Sequence, residues 1–328
     1  MGRNTRPSAA REKTIRERQE PMRWGSEYLP GQLATKAEAP DDSRPATIHS
    51  FELGRLVHAM SGPEQDAIVL GFYGGAKELH ESGMLHPEPA LGPLANYPAA
   101  RGLPILGHRG TIQIAEDLGV MKWHPSIQVQ DPNRPGCKKW IAFPLLNDLL
   151  WYFHGPSQPF CVNWTVKATP EDFERPFAGG FLKRRPGPNA VEDALARHAV
   201  EEMLFREVDV PTIKVAGTDI PRHVALNLRA LYKWQGQKAD VHDDHRDDVV
   251  EILRARMQMG VPVFETLRHF MNRYGGTYHD YQVILNQAIW KRQLNVDLWT
   301  PINMDQPLRP AEKDVLEHFA PWFQQGLK

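Results

Sequence analysis

The sequence predicts an α/β domain followed by a smaller helical domain. Two segments rich in β-branched and aromatic residues, KKWIAFPLLNDLLWYF and FCVNWTVKA, are joined by the turn-like HGPSQP and indicate a β-hairpin. Amphipathic helical patterns lie on both sides of this hairpin, and the last third of the chain holds three more of them behind a polar stretch. The length of 328 residues agrees with about two domains.

We expect the first 45 residues to form a basic, flexible arm. Residues 1–24 contain seven Lys and Arg but only three Glu, a net charge of +4, and the arm ends in the Pro- and Asp-rich EAPDDSRP. A basic tail of this kind is usually solvated and sometimes contacts phosphate. The whole chain has a formal net charge of −1, which gives no general indication of nucleic acid.

Several classes of protein are excluded by composition. The two cysteines, Cys137 and Cys161, do not have the spacing of a metal site or a disulfide framework. The N-terminus lacks the apolar region of a signal peptide, and no apolar run approaches the roughly 18 residues of a membrane span. We therefore expect a soluble, cytoplasmic protein.

The domain expected over residues 46–234 begins with a short extended piece around Ile48–Val57 and a helix. Ser61 can cap this helix, Pro63 suits its first turn, and Glu64 completes a capping box. Residues 84–110 are rich in Pro and Gly and are predicted to be loop, whereas GTIQIAEDLGV is predicted to be a short helix that ends at Gly119.

Beyond the hairpin, a helix is predicted from Asn189 to Arg206. Asn189 would cap it, and its apolar face would consist of Val191, Leu195, Ala199 and Met203. VPTIKVAG follows as a strand and IPRHVALNLRALYKW as a helix. The polar QGQKADVHDDHRDD then begins the domain expected over 235–328, in which three helices precede LWTPINMDQPLRP, a predicted short hairpin or wing.

The strongest candidate site is the trio of Glu64, Asp148 and Lys167. An Asp and a Lys on successive strands would meet at one edge of a sheet, and a Glu on a packed helix could join them. Hydrolysis of a phosphodiester uses a divalent cation that neutralises charge and activates water, and Mg²⁺ prefers carboxylate ligands. A lysine beside the metal can orient the water or stabilise developing negative charge.

Each member of the trio also has a structural interpretation. Glu64 could serve only as a capping-box residue. Lys167 could lie along the apolar end of its strand and reach water. Asp148 lies within an apolar segment, where an unpaired charge would cost several kcal/mol, so it requires a partner such as a metal or a backbone N–H.

Three further stretches carry polar residues that a site could use. The VHDDHRDD stretch resembles a metal cluster but suits the N-terminus of a helix better; its residues are His242, Asp243, Asp244, His245, Asp247 and Asp248. GLPILGHRG lacks the ending of a phosphate loop and is predicted to be only a loop. Possible DNA contacts are Lys183, Arg184 and Arg185, and Lys291 and Arg292 near the end of YHDYQVILNQAIWKRQ, which has the length of a recognition helix.

The order of the segments resembles TnsA, the endonuclease subunit of heteromeric cut-and-paste transposases. The matching pieces are, in chain order, EYLP, HSFELGRLVHAMSGPEQDAIVL with its G-R-x-x-H, IAEDLGVMKWHP, LLNDLLWYF, WTVKA, the capped helix, and VPTIKVAGTDIPRHVALNLRALY. They extend roughly over residues 27–234. The ordered set carries the resemblance, since none of the motifs is specific alone.

This resemblance implies a restriction-endonuclease-like fold, with a mixed sheet flanked by helices, and a small helical, winged-helix-like C-terminal domain for partner or DNA contact. It implies a Mg²⁺-dependent endonuclease, for which Mn²⁺ is expected to substitute, that leaves 5′-phosphate and 3′-hydroxyl ends. The enzyme would cut the non-transferred (5′) strand at transposon ends, and its partners would be a TnsB-like transposase and a TnsC-like ATPase. The family's catalytic Glu, Asp and Lys correspond to Glu64, Asp148 and Lys167.

The chain departs from the pattern of this superfamily two residues before the lysine. Where an Asp, Glu or Gln is usual, the chain has Thr165, and a hydroxyl is a poor metal ligand. The metal would then be held by Glu64, Asp148, the backbone carbonyl of Val166 and waters. The same departure supports an alternative, in which the chain is a catalytically inactive DNA-binding or scaffolding subunit. A hydrolase that uses the 242–248 stretch is the third possibility.

Overall fold

The computed structural model of the protein describes residues 7–40, 43–174 and 189–324. The chain divides into two compact units, residues 1–219 together with 322–328, and residues 220–321. The boundary lies earlier than the expected residue 234, because the helix over 222–232 packs against the helix over 278–290.

Strands occur in the first unit, in its described part. They are β1 (Ala46–Ser50), β2 (Arg55–Ala59), β3 (Glu78–Glu81), β4 (Met84–Leu85), β5 (Ala90–Leu91), β6 (Gly107–His108), β7 (Ser126–Gln130), β8 (Lys138–Ala142), β9 (Leu145–Leu146), β10 (Leu149–His154), β11 (Pro159–Lys167) and β12 (Thr212–Ala216).

Helices occur in both units. Those of the first unit are α1 (Ala9–Gln19), α2 (Gly62–Tyr73), α3 (Gly110–Asp117), α4 (Glu171–Glu174) and α5 (Ala190–Glu207). Those of the second unit are α6 (Arg222–Tyr232), α7 (Asp243–Gln258), α8 (Val263–Tyr274), α9 (Tyr278–Trp290) and α10 (Val315–His318). Short 3-10 helices span Gly25–Glu27, Pro98–Ala100, Met121–Trp123, Gly217–Asp219 and Ala320–Phe323.

The central sheet has four strands in the order β12–β11–β10–β3. β10 pairs antiparallel with both β3 and β11, so the predicted hairpin is confirmed. β11 and β12 run parallel, which requires a crossover that contains α5. The sheet is therefore mixed and flanked by helices, as predicted.

Helix α2 covers the face of the sheet that carries Trp151 and Trp164. Its approach is close, because a Cβ atom on Gly71 would lie 2.2 Å from Cζ2 of Trp151. At the other end of the helix, a Cβ on Gly217 would lie 2.8 Å from the ring of Pro63. These two contacts fix the first turn of α2, and with it Glu64, beside the ends of β11 and β12.

Helix α5 covers the opposite face of the sheet. Strand residues alternate between faces, so Asn163, Thr165 and Lys167 of β11 all point to the α5 side. The predicted apolar face of α5 is wrong at Val191 and Leu195, which are each 40% exposed, whereas Met203 packs against the core. The buried residues of α5 are Ala196, Val200, Glu201, Leu204 and Phe205. Asn189 stands at the cap position but makes no side-chain capping bond.

The N-terminal segment, in its described part, contains a packed helix where a flexible arm was expected. Ile15 of α1 is fully buried and packs with residues of β4 and β7. Arg16 contacts Glu88, and Arg18 donates two hydrogen bonds of 2.8 Å to Glu38. The burial of an apolar residue explains the correction, and much of the positive charge is neutralised within the unit.

The G-R-x-x-H motif has a structural role. Arg55 donates hydrogen bonds of 2.7 and 2.9 Å to the two carboxylate oxygens of Glu81 on β3. The backbone N–H of His58 donates to the same carboxylate, and its Nδ1 accepts from the N–H of Ala34. The motif thus joins the β1–β2 hairpin to the central sheet.

The second unit is built around α9. Ten of the thirteen residues of α9 are buried, so its body forms the core and is not an exposed recognition helix. The predicted hairpin or wing over LWTPINMDQPLRP is replaced by two isolated bridges, Pro262 with Pro307 and Val296 with Pro310. No helix in the described ranges is long and apolar enough to cross a membrane.

Candidate functional site

Asp148 lies directly before β10, at an edge of the central sheet. Its backbone carbonyl accepts a hydrogen bond from the N–H of Ser82 (3.0 Å), and its Oδ2 accepts one from the N–H of Val166 (2.8 Å). The side chain is 17% exposed. The carboxylate is thus held at the end of the β10–β11 hairpin and keeps access to solvent.

Lys167 ends β11 on the same edge of the sheet. Its Nζ lies 3.7 Å from Oδ2 of Asp148, and its side chain is 27% exposed. The N–H and C=O groups of a strand residue point towards the same neighbouring strand. The N–H of Val166 bonds to Asp148, so the carbonyl of Val166 points towards Asp148 as well. The structure therefore brings together three of the groups that the sequence singled out.

Glu64 enters from the first turn of α2. Its Oε2 accepts a hydrogen bond from the N–H of Met60 (2.8 Å), and its Oε1 accepts one from the hydroxyl of Ser61 (2.9 Å). Ser61 caps α2 as predicted, but Glu64 does not complete a capping box, because its carboxylate accepts from the N–H of the residue before the cap. Each of its carboxylate oxygens retains a further lone pair for a ligand. Burial and the negative charge of Asp148 raise the pKa of Glu64 to about 7.

Two basic side chains of α5 complete the surroundings of Asp148. A guanidinium nitrogen of Arg197 lies 3.8 Å from Oδ1 of Asp148. Burial acts to raise the pKa of Asp148, but the charges of Lys167 and Arg197 outweigh it and hold that pKa below its ordinary value. Burial and the same two cations lower the pKa of His198 to about 4, so its imidazole is neutral at pH 7.

Glu201 of α5 is the residue that sequence reasoning missed. It is 1% exposed, and its Oε1 accepts hydrogen bonds from Nδ2 of Asn163 (2.9 Å) and the hydroxyl of Thr165 (3.2 Å). Its Oε2 is buried and has no hydrogen-bond partner. Burial and the charge of Asp148 raise its pKa. We refer to Glu64, Asp148, Lys167, Arg197 and Glu201 as the strand-end cluster.

A buried polar chain connects the cluster to the sheet. Oδ1 of Asn147 accepts from the N–H of Gly83 (2.7 Å), and its Nδ2 donates to Oδ1 of Asn163 (3.2 Å). Asn163 in turn donates to Glu201. The carboxylate of Glu201 is thereby positioned relative to the residue that precedes Asp148, which makes the geometry of the two acids interdependent.

The strand-end cluster contains the ligand type that a hard divalent cation prefers. Its three carboxylates are oxygen donors, and the buried Oε2 of Glu201 has no partner of its own. Burial beside another negative charge raises the pKa values of Glu64 and Glu201. A bound cation would offset that negative charge. Across the described ranges, no three His, Cys, Asp or Glu side chains converge closely enough to constitute a preformed metal shell.

The predicted DNA contacts belong to two other parts of the sequence. Lys183, Arg184 and Arg185 lie outside the described residues. Lys291 and Arg292 belong to the second unit, where both are exposed at the end of α9. Arg292 has a positive φ of 58°, and its guanidinium lies 4.0 Å from a carboxylate oxygen of Asp314.

The 242–248 stretch forms the beginning of α7. Nδ1 of His242 accepts from the N–H of Asp244 at the N-cap, and the side chains of His242 and Asp244 are 71% and 85% exposed. The ring of His245 lies beside Tyr274, with centroids 4.7 Å apart. The stretch therefore forms the N-terminus of a helix, as predicted, but the N-cap is His242 and not one of the aspartates.

The hairpin of β7 and β8 presents a basic, aromatic surface, which we call the β7–β8 ribbon (residues 126–142). Trp140 is 66% exposed, and Lys138 and Lys139 beside it are exposed as well. The alternation of the strand puts Lys138 and Trp140 on one face, while Ile127 and Ile141 pack towards α1 on the other. Such a ribbon suits a polyanion with stacked rings.

No protein-family model matches this sequence, and no curated protein matches it either.

Proposed function

We propose that the protein is a metal-dependent DNA endonuclease. The observation that carries the proposal is the convergence of Asp148, Lys167 and Glu64 from two strands and a helix at one edge of a mixed sheet. A Lys–Asp separation of 3.7 Å beside a glutamate of raised pKa is an arrangement suited to phosphodiester hydrolysis.

Glu64, Asp148 and the carbonyl of Val166 would hold a Mg²⁺ ion, with Mn²⁺ as a substitute. The ion would neutralise phosphate charge and lower the pKa of a bound water. Lys167 stabilises through Nζ the negative charge that develops on the scissile phosphate, while its contact with Asp148 orients it. Arg197, 38% exposed, binds a non-bridging phosphate oxygen.

The transposition setting comes from the resemblance to TnsA. In that setting the enzyme cuts the non-transferred strand at transposon ends, and a TnsB-like transposase and a TnsC-like ATPase position it. A mixed sheet with α2 and α5 on its two faces is what a restriction-endonuclease-like fold requires and supports this setting. The second unit would serve partner or DNA contact through the exposed end of α9.

Duplex DNA would also contact the β7–β8 ribbon. Lysines neutralise phosphates and release counterions, and the exposed Trp140 next to them can pack on a sugar of the DNA backbone. The ribbon belongs to the same unit as the strand-end cluster. These features favour a nucleic-acid substrate over a small phosphodiester.

A second candidate function is a catalytically inactive subunit that keeps the fold for DNA binding or assembly. The observation that favours it is Thr165, which is 3% exposed and donates to Glu201 instead of offering a carboxylate. The two functions differ in one measurable respect, since only the first predicts that hydrolysis depends on the strand-end cluster.

The deciding experiment measures nicking of transposon-end DNA by the chain assembled with its partner transposase and Mg²⁺. Asp148→Ala is expected to abolish nicking while leaving the fold and partner binding intact. Asp193→Ala, at an exposed acid in the first turn of α5, is the matched control and should cut at the wild-type rate. Nicking that Asp148→Ala leaves unchanged would favour the scaffolding function.

A further inference from the structure

Glu201 has the burial of a core residue but not its bonding. A carboxyl group that is 1% exposed normally has both oxygens bonded, because an unpaired buried polar atom costs about 1–3 kcal/mol. Here Oε1 receives two hydrogen bonds, from Asn163 and Thr165, and Oε2 receives none. The carboxylate is therefore held in place through Oε1, while Oε2 remains able to bind a ligand.

The partner of Oε1 indicates where that ligand would lie. Thr165 occupies the strand position two residues before Lys167, on the α5 side of the sheet. Its hydroxyl donates to Glu201, so the carboxylate of α5 reaches the place that a carboxylate on β11 would otherwise fill. Asp148 lies beside this position, since its Oδ2 accepts from the N–H of Val166, the residue that follows Thr165.

We propose that Glu201 supplies, through Oε2, the divalent-cation ligand that Thr165 cannot provide. This inference rests on the proposed function and deepens it, because it moves one acid of the metal site from the strand to the covering helix. Asn163 and Thr165 are positioning residues that hold Oε1 and thereby aim Oε2. The ligand class is a hard, oxygen-binding cation such as Mg²⁺ or Mn²⁺.

A purely structural role for Glu201 makes a different prediction. A buried acid that only accepts from Asn163 and Thr165 could be replaced by glutamine, which keeps an acceptor oxygen and the volume. The free energy of unfolding would then be unchanged or increased, since the change removes a buried charge, and the affinity for cations would not respond. The two roles therefore separate on metal binding and not on stability.

The test is calorimetric titration of the full chain with Mn²⁺ in the absence of DNA. Glu201→Gln is expected to weaken Mn²⁺ binding by about tenfold or more, with the unfolding temperature in metal-free buffer unchanged or raised. Glu202→Gln is the matched control: it lies one residue further along α5, is 44% exposed, and should bind Mn²⁺ as the wild type does. Equal affinity in Glu201→Gln and wild type would overturn the inference.

A second measurement applies to the wild-type chain and does not depend on the variant folding. In crystals soaked with Mn²⁺, the anomalous peak is expected within about 2.2 Å of Oε2 of Glu201 and of an Asp148 oxygen. A peak on Asp148 that leaves Glu201 uncoordinated would overturn this inference and keep the proposed function. Absence of Mn²⁺ binding by the wild type would overturn both.

Discussion

The strand-end cluster and the 242–248 stretch contain similar side chains in very different surroundings. Both are rich in carboxylates and carry nitrogen bases, and either one suggests metal chemistry in the sequence. Asp148 and Lys167 are held by paired strands and are 17% and 27% exposed. His242 and Asp244 stand on the first turn of a helix and are 71% and 85% exposed.

This difference in exposure sets how strongly neighbouring charges act on the side chains of each region. In the strand-end cluster, burial and neighbouring charge shift the pKa values of Glu64 and Asp148 in opposite directions. In water, charges a few ångströms apart interact by only about 1 kcal/mol, so exposed side chains such as His242 and Asp244 influence each other weakly. Carboxylates become a candidate site where the fold removes them from solvent.

The largest expected effect is that of Lys167→Ala on the rate of DNA cleavage. If Nζ acts on the water or the scissile phosphate, its removal lowers the single-turnover rate by on the order of 10²–10³ and leaves DNA and partner affinity almost unchanged. Lys77→Ala is the control, because Lys77 is exposed and lies beside Tyr152, towards the other end of β10. A fully active Lys167→Ala complex would show that the lysine is structural.

The next effect concerns stability and pH in metal-free buffer. Glu64 has a folded pKa of about 7, above its unfolded value, so its contribution is most favourable below about pH 4.5 and declines as the pH rises to 7. Glu64→Gln should therefore raise the free energy of unfolding at pH 8, on the order of 3 kcal/mol, and much less at pH 4.5.

Chemical denaturation of both proteins from pH 4 to 8 checks this prediction. The prediction concerns the difference between the wild-type and Glu64→Gln stabilities at each pH. His198 has a lowered pKa, so it makes both proteins more stable as the pH rises from about 4 to 6.5, and the subtraction removes this shared effect. A difference that does not vary with pH would mean that Glu64 is not desolvated beside Asp148.

A smaller effect is expected at the β7–β8 ribbon. Replacement of Lys138 and Lys139 together by glutamine should weaken DNA binding several-fold and reduce the salt dependence of the binding constant by about one unit of slope per lysine. Lys13→Gln is the control, since Lys13 is an exposed lysine of α1 paired with Glu17. An unchanged slope would remove the ribbon from the DNA-binding surface. The measurement is fluorescence anisotropy over a range of salt concentrations.

Local patterns predicted the elements that hold the cluster. The capped start of α2 and the β10–β11 hairpin follow from Ser61 and from the two apolar segments around HGPSQP. The proximity of Asp148 to Lys167 follows in turn from two successive strands that meet at one edge. These features depend on residues that are near each other in the sequence, so they can be predicted from one sequence alone.

Glu201 could not be found in the same way. Its position in the helix pattern is that of a surface acid, and the predicted apolar face of α5 was rotated away from it. Its partners Asn163 and Thr165 lie more than thirty residues earlier, so the contact depends on how α5 crosses the sheet. The sequence contains one indication of Glu201, namely Thr165. A hydroxyl at this position implies that a carboxylate from elsewhere in the chain would have to complete a metal site.

The smallest effect is expected at the 242–248 stretch. His242 accepts a long hydrogen bond of 3.4 Å from the N–H of Asp244 at the N-cap, and the ring of His245 packs beside Tyr274. Both contacts are structural. Alanine at both histidines should cost about 1 kcal/mol of stability from the lost cap and leave cleavage within a few-fold of wild type. Single-turnover cleavage by the assembled complex, compared with unfolding temperature, separates the two contributions. Complete loss of cleavage in a folded double variant would transfer the catalytic assignment from the strand-end cluster to this stretch.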